Sequence, residues 1–174
     1  MSETLKKTVG NMPQILHKNA KSMMLRMVDA IQEAIAAEPQ LGPSSYCALL
    51  LKMSSDDLAR EYERALGEAL GEIKPSSPGS SSQWLSIEPL EAAAALSAQD
   101  FSGSTALFNK LRARATGLGV KGLGAYGKEL FIAALKEAFD KSGIDPAEVE
   151  KMMPFARRAL DVELAKFYAK LESL

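Results

Sequence analysis

Reactions are most often carried by histidine, cysteine and closely spaced carboxylates, and this sequence has few of the first two. His17 is the only histidine, so any general base working near neutral pH would have to be built on it. It stands among Lys18, Asn19 and Lys21, where a surface or half-buried structural histidine is the expected reading. Cys47 is the only cysteine and lies in the apolar run Tyr46-Cys47-Ala48-Leu49-Leu50-Leu51, which predicts a buried, unreactive thiol and excludes an intramolecular disulfide. One cysteine and one histidine fall short of a zinc site, so no metal is expected. There is no Glu-x-x-His pair for a di-iron bundle and no Gly-x-Ser-x-Gly elbow for a serine nucleophile. Asp56 with Asp57, and Glu61 with Glu68, could serve hydrolysis or hold a divalent cation. The first pair reads more simply as helix-start acids, and the second as a solvated face. No cofactor is expected.

Gly117-Leu118-Gly119-Val120-Lys121-Gly122 matches the letters of a dinucleotide fingerprint. That fingerprint needs a strand before it and a helix N-terminus after it. Helical spacing precedes it here, so a glycine-permitted helix end is expected instead. A second signal overlaps it. Lys110, Arg112, Arg114, Lys121 and Lys128 supply five positive charges between Asp100 and Glu129, with no acid among them. Glycines in the same stretch let backbone N–H groups approach a ligand, so the segment is a candidate anion site for a nucleotide or nucleic acid. Tyr126 is its lone aromatic stacking partner, and solvating basic residues at a helix end are the plainer alternative. Met23, Met24, Met27, Met53, Met152 and Met153 fall at helical spacing, which favours core. Met23 and Met27 are also candidate contacts for a protein partner, because methionine adapts to varied surfaces. Trp84 is the remaining interaction candidate: it anchors a partner or pins the second half of the chain onto the first.

These residues are positioned by helices throughout. Asn11 as N-cap and Pro13 in the first turn open a helix whose stripe is Leu16, Ala20, Met23, Met24, Met27, Ile31, Ala34 and Ile35. Pro39, Gly42 and Pro43 close it. A short helix follows over 45–53. The capping cluster Ser54-Ser55-Asp56-Asp57 opens another, with Leu58, Tyr62, Ala65, Leu66, Ala69, Leu70 and Ile73 opposite Arg60, Glu61, Glu63, Arg64 and Glu68. Residues 74–83 (Lys-Pro-Ser-Ser-Pro-Gly-Ser-Ser-Ser-Gln) have linker composition and divide an N-terminal half, 1–73, from a C-terminal half, 84–174, which could still share one core. In the second half Ser86 caps an Ala-rich helix to about Ser97, and a further helix spans 104–116. A glycine-rich connector then leads to a helix bearing Leu130, Phe131, Ala134, Leu135, Ala138 and Phe139. Asp145-Pro146-Ala147-Glu148 has the form of a capping box, Pro154 breaks or restarts the helix, and Ala156, Leu160, Leu164, Phe167, Tyr168 and Leu171 follow. No segment alternates with period two. The fold class is therefore all-α, a bundle of about seven to eight amphipathic helices.

At 174 residues and 47% hydrophobic, the chain has enough apolar material for a sizeable core. A net charge of −1 gives no global pull toward nucleic acid or membrane. No window reaches the roughly 18 apolar residues of a membrane span, and the N-terminus leads into no signal core, so a soluble cytoplasmic protein is expected.

Several segments in order resemble the domain-of-unknown-function family 1631, a group of large proteobacterial proteins. They are Trp84-Leu85-Ser86-Ile87 after the low-complexity linker, Leu107-Phe108-Asn109-Lys110-Leu111-Arg112, the run Leu130 to Phe139, and Leu164-Ala165-Lys166-Phe167-Tyr168-Ala169-Lys170-Leu171. The likeness covers mainly the C-terminal half. Where the family carries an acidic cluster after its Leu-Ser segment, this chain has Glu88-Pro89-Leu90-Glu91, and family members are far longer. The resemblance implies a bacterial helical protein and transfers no site. With no reactive constellation, the sequence favours a protein-interaction or regulatory module, self-association included, over catalysis. An anion-binding module through residues 110–128 is the alternative, and a carboxylate enzyme the third reading.

Overall fold

Apolar spacing becomes helix wherever the computed structural model describes the chain, which is over residues 2–39, 45–72 and 101–174. Seven α-helices and one 3₁₀ turn are found there, with no strand among the described residues. They are α1 (Ser2–Gly10), α2 (Met12–Ala37), α3 (Tyr46–Met53), α4 (Ser55–Glu72), α5 (Ser102–Gly117), the turn Leu123–Tyr126, α6 (Lys128–Lys141) and α7 (Pro146–Glu172). The fold is all-α. Gly42, Pro43, Ile73, the 74–83 linker, Trp84 and the helix expected after Ser86 lie outside the described residues.

α2 buries Leu16, Ala20, Met23, Met24, Met27, Ile31 and Ile35, and α4 buries Leu58, Tyr62, Ala65, Leu66 and Leu70. Contacts run in a ring: α2 packs on α4, α4 on α6, α6 on α7, and α7 back on α2, with α5 laid against α7. One continuous buried cluster draws on residues from both sides of the 74–83 stretch. Arg26 of α2 meets Glu163 of α7, while α3, which follows the C-terminal end of α2, meets Glu148 near the start of α7. The two long helices therefore run in opposite senses.

Three details differ from expectation. Asn11 does not open the first helix. α1 precedes it, burying Leu5 and Val9, and Asn11 is a junction whose N–H donates to the Lys7 carbonyl at 3.1 Å and whose side chain caps nothing. Pro13 cannot donate to the carbonyl of Val9, so the ladder is interrupted there while the apolar stripe continues. Pro154 does not break α7, which runs through it. An interior proline costs about 3 kcal/mol, but buried Met152, Leu160 and Leu164 contribute roughly 1.5–3 kcal/mol each and hold the stripe in register. Glu148 does not complete a capping box. Asp145 accepts from the Ala147 N–H at 3.0 Å, and the Glu148 carboxylate turns to Cys47 and Lys151 instead.

α5 has an unusual N-terminus: its own N-cap, Phe101, has no polar side chain. Asp161 of α7 supplies the missing acceptor, its Oδ1 taking the Ser104 N–H at 2.9 Å. At the other end Gly119 adopts φ 73° and the Val120 N–H returns to the Ala115 carbonyl at 2.8 Å. This is a Schellman-type ending, with Val120 buried as its apolar contact. The glycine letters thus terminate a helix. No helix among the described residues is long and apolar enough to cross a membrane.

Candidate functional site

Three of the four candidate carboxylates, Asp57, Glu61 and Glu68, are engaged in ties with arginines along α4. Arg64 of α4 donates to Glu61 at 2.9 Å, to Glu68 at 2.8 Å and to Glu137 of α6 at 3.2 Å. The Glu137 carboxyl is held below its ordinary range, first by its bond from Lys141 and then by Arg64, opposite to what a neutral-pH acid needs. Asp57 pairs with Arg60 at 2.6 Å. No group of three or more His, Cys, Asp or Glu among the described residues could hold a metal ion. His17 is exposed on α2, with its ring lying over Gly67 of α4. Cys47 is 2% exposed and its thiol donates to Glu148 Oε2 at 2.8 Å. Burial, and after it the Glu148 carboxylate, pushes the thiol up to about 11.

The five basic residues of the 110–128 segment do not act together. Lys110 pairs with Glu172 at 3.0 Å, and Arg114 donates to the Glu172 carbonyl. Lys121 is exposed on the turn after α5. Only Arg112 and Lys128 converge, on a cleft of about 220 Å³ whose walls include Thr105, Phe108, Glu129 and Tyr168. The Arg112 guanidinium sits 5.9 Å from the centre of the Phe108 ring, and Lys128 Nζ donates to Thr105 Oγ1 at 3.3 Å. Glu129 places a carboxylate in the same walls and offsets one of the two positive charges. Tyr126 is buried, and its carbonyl accepts from the buried Tyr168 hydroxyl at 2.8 Å, so its ring is not a stacking platform. Sequence reasoning found this pair but could not separate it from its neighbours.

The candidate partner residues fare differently. Met23 and Met27 lie in the core, where the Tyr62 hydroxyl donates to Met23 Sδ at 3.2 Å, so neither offers a surface to a partner. Met53, expected in the core, is 74% exposed. It continues a row on α3 with Tyr46, 61% exposed, and Leu49, 54% exposed. The steps of three and four residues place all three on one side of the helix. Cys47, Ala48 and Leu51 are buried on the other. Tyr46 and Leu49 escaped sequence reasoning because every residue of this helix but Lys52 is apolar, a pattern that normally marks a largely buried segment.

A second apolar feature lies on the outer side of the α2–α7 pair, a groove of about 400 Å³. Ala30, Ala34, Phe155, Ala159 and Val162 line its floor, with charged residues along both banks. At one end the Glu163 carboxylate, 9% exposed, accepts from Arg26 Nε at 3.2 Å and from a second guanidinium nitrogen at 3.1 Å. Comparison with family models, with curated proteins and with solved structures returns no match.

Proposed function

We propose that this chain is a helical protein-interaction module whose docking element is the outer face of α3. The observation that supports it is the row Tyr46, Leu49 and Met53, each more than half exposed on a helix anchored from behind by Cys47 and Leu51. Large apolar side chains scattered singly need no explanation, but three in one row on a short rigid helix match helix-face recognition. Tyrosine and methionine also suit such a surface, one rigid and amphipathic, the other adaptable. The test is capture of a partner by the intact protein from its native host, set beside Leu49→Glu and Met53→Glu. The proposal requires a binding protein that the wild type retains and both variants lose, with helix content and melting temperature unchanged. A partner retained equally by all three, or none retained by any, refutes it.

A second reading rests on the convergence of Arg112 and Lys128 on one cleft. It is the binding of a small carboxylate or phosphate there. The Glu129 carboxylate in the same walls limits the net attraction, so this reading predicts weak, salt-sensitive binding. Titration with inorganic phosphate and with acetate, observed by NMR, tests it: shifts of cleft amides that vanish in Arg112→Ala support it, and none refutes it.

A further inference from the structure

The α2–α7 groove has a charge arrangement that a simple solvated surface does not require. Apart from Arg26 and Glu163, which neutralise each other across one end of it, its α2 bank carries Asp29 and Glu33, and its α7 bank carries Arg158 and Lys166. All four are exposed, and none meets an opposite charge among the described residues. Between the banks lies the apolar floor, including Val162, 51% exposed. One acidic bank, one basic bank and a greasy strip between them make a surface complementary to itself.

We propose that the occupant of this groove is a second copy of the chain, joined about a two-fold axis parallel to the helices. The choice of axis follows from the charges. A two-fold axis along the groove lays α2 of one copy over α7 of the other and keeps positions along the axis unchanged. A two-fold axis across the groove would set α2 on α2 and α7 on α7, bringing acid against acid and base against base. The Arg26–Glu163 pair fixes the relative height of the two antiparallel helices. With a rise of about 1.5 Å per residue, Arg158 lies about 7.5 Å from that level. Asp29 and Glu33 lie about 4.5 and 10.5 Å from it in the same direction. Arg158 of each copy therefore falls midway between Asp29 and Glu33 of the other, about 3 Å along the axis from each. Lys166 extends the basic bank past the level of Arg26. The small floor residues Ala30, Ala34 and Ala159 let the helices approach closely, and Val162 and Phe155 fill the seam. The product is a four-helix layer shared by two molecules.

This inference is independent of the α3 proposal, since no α3 residue lines the groove, and the two are tested separately. Sedimentation of the full chain at low and moderate salt gives the decisive measurement, with three variants. The wild type is expected to be a dimer that weakens as salt rises. Asp29→Lys with Glu33→Lys, and separately Arg158→Glu with Lys166→Glu, should each weaken association at least about tenfold, because like charges then face each other across the seam. An equimolar mixture of the two variants should form a heterodimer, since each supplies the charges the other has lost. Leu49→Glu should leave the dimer intact. The inference is overturned if the wild type sediments as a monomer throughout. Association unchanged in both reversals, failure of the mixture to recover the dimer, or loss of the dimer in Leu49→Glu would overturn it equally. Circular dichroism of each variant confirms folding, and heterodimer recovery provides a check that an unfolded variant cannot imitate.

Discussion

Cys47 offers the sharpest test of how α3 is seated. In an unfolded chain a thiol ionises near 8.5, so at pH 8 about a quarter of it is thiolate, the reactive form. In the folded protein the thiol is pushed up to about 11, which leaves about one molecule in a thousand ionised at that pH. Ionisation alone thus slows reaction with a disulfide dye roughly 200-fold, and the 2% exposure of the residue slows it further. Burial is the larger cause and the Glu148 carboxylate the next. Glu148→Ala therefore removes one restraint, leaves Lys151 to favour the thiolate, and should speed labelling several-fold without reaching the unfolded rate. The assay is dye release at pH 8 from native protein, from Glu148→Ala and from urea-unfolded protein. Native labelling within about tenfold of the unfolded rate would refute the seating of α3 against α7. So would a Glu148→Ala rate equal to that of the wild type.

Three further outcomes follow from groups described above. Burial raises the phenols of Tyr62, Tyr126 and Tyr168 and the Cys47 thiol. Their contribution to stability is complete below the unfolded values, near 8.5 for the thiol and 10 for the phenols, and is lost as pH rises toward the folded ones. Tyr62→Phe should remove on the order of 1 kcal/mol of the stability lost between pH 8 and 11. Urea melts at the two pH values check this, and parallel losses would count against it. Pro154→Ala should stabilise the protein by about 1–3 kcal/mol, because the Glu150 carbonyl regains a donor in α7. A lowered melting temperature would show that the proline fits the helix better than its geometry indicates. Asp161→Ala leaves the Ser104 N–H without its acceptor and should cost about 1–2 kcal/mol, the range of a lost N-cap. Hydrogen exchange at the first turn of α5 should quicken with it.

Much of the fold is legible in the sequence because burial needs only local spacing. The stripes of α2, α4 and α6 can be read directly, and the glycine-rich letters at 117–122 are resolved by the helical spacing before them. Where local signals conflict, they mislead. Asn11 with Pro13 looks like a start and is a junction, because Leu5 and Val9 carry the same stripe into α1. Pro154 looks like a stop and is not one, since packing on both sides of it outweighs one lost bond. The candidate sites were harder to read. α3 is apolar at every position but Lys52, so spacing does not tell which side the rest of the chain will cover. The groove depends on Asp29 and Glu33 lying across from Arg158 and Lys166, and no local pattern records which distant helices become neighbours. Arg112 and Lys128 meet only because the chain reverses between α5 and α6. A cluster of like charges in sequence says nothing about that reversal.

The shared wall formed by α7 has a practical consequence. α4 presses on α6, and α2 on α7, so severing the backbone between residues 72 and 101 would leave two pieces with matching oily sides. Made from separate genes, such pieces would be expected to reunite without a covalent tether. The molecule would then serve as a two-part clasp, its recovered helical signal marking the self-assembly of the pieces and its packing holding together whatever they are fused to.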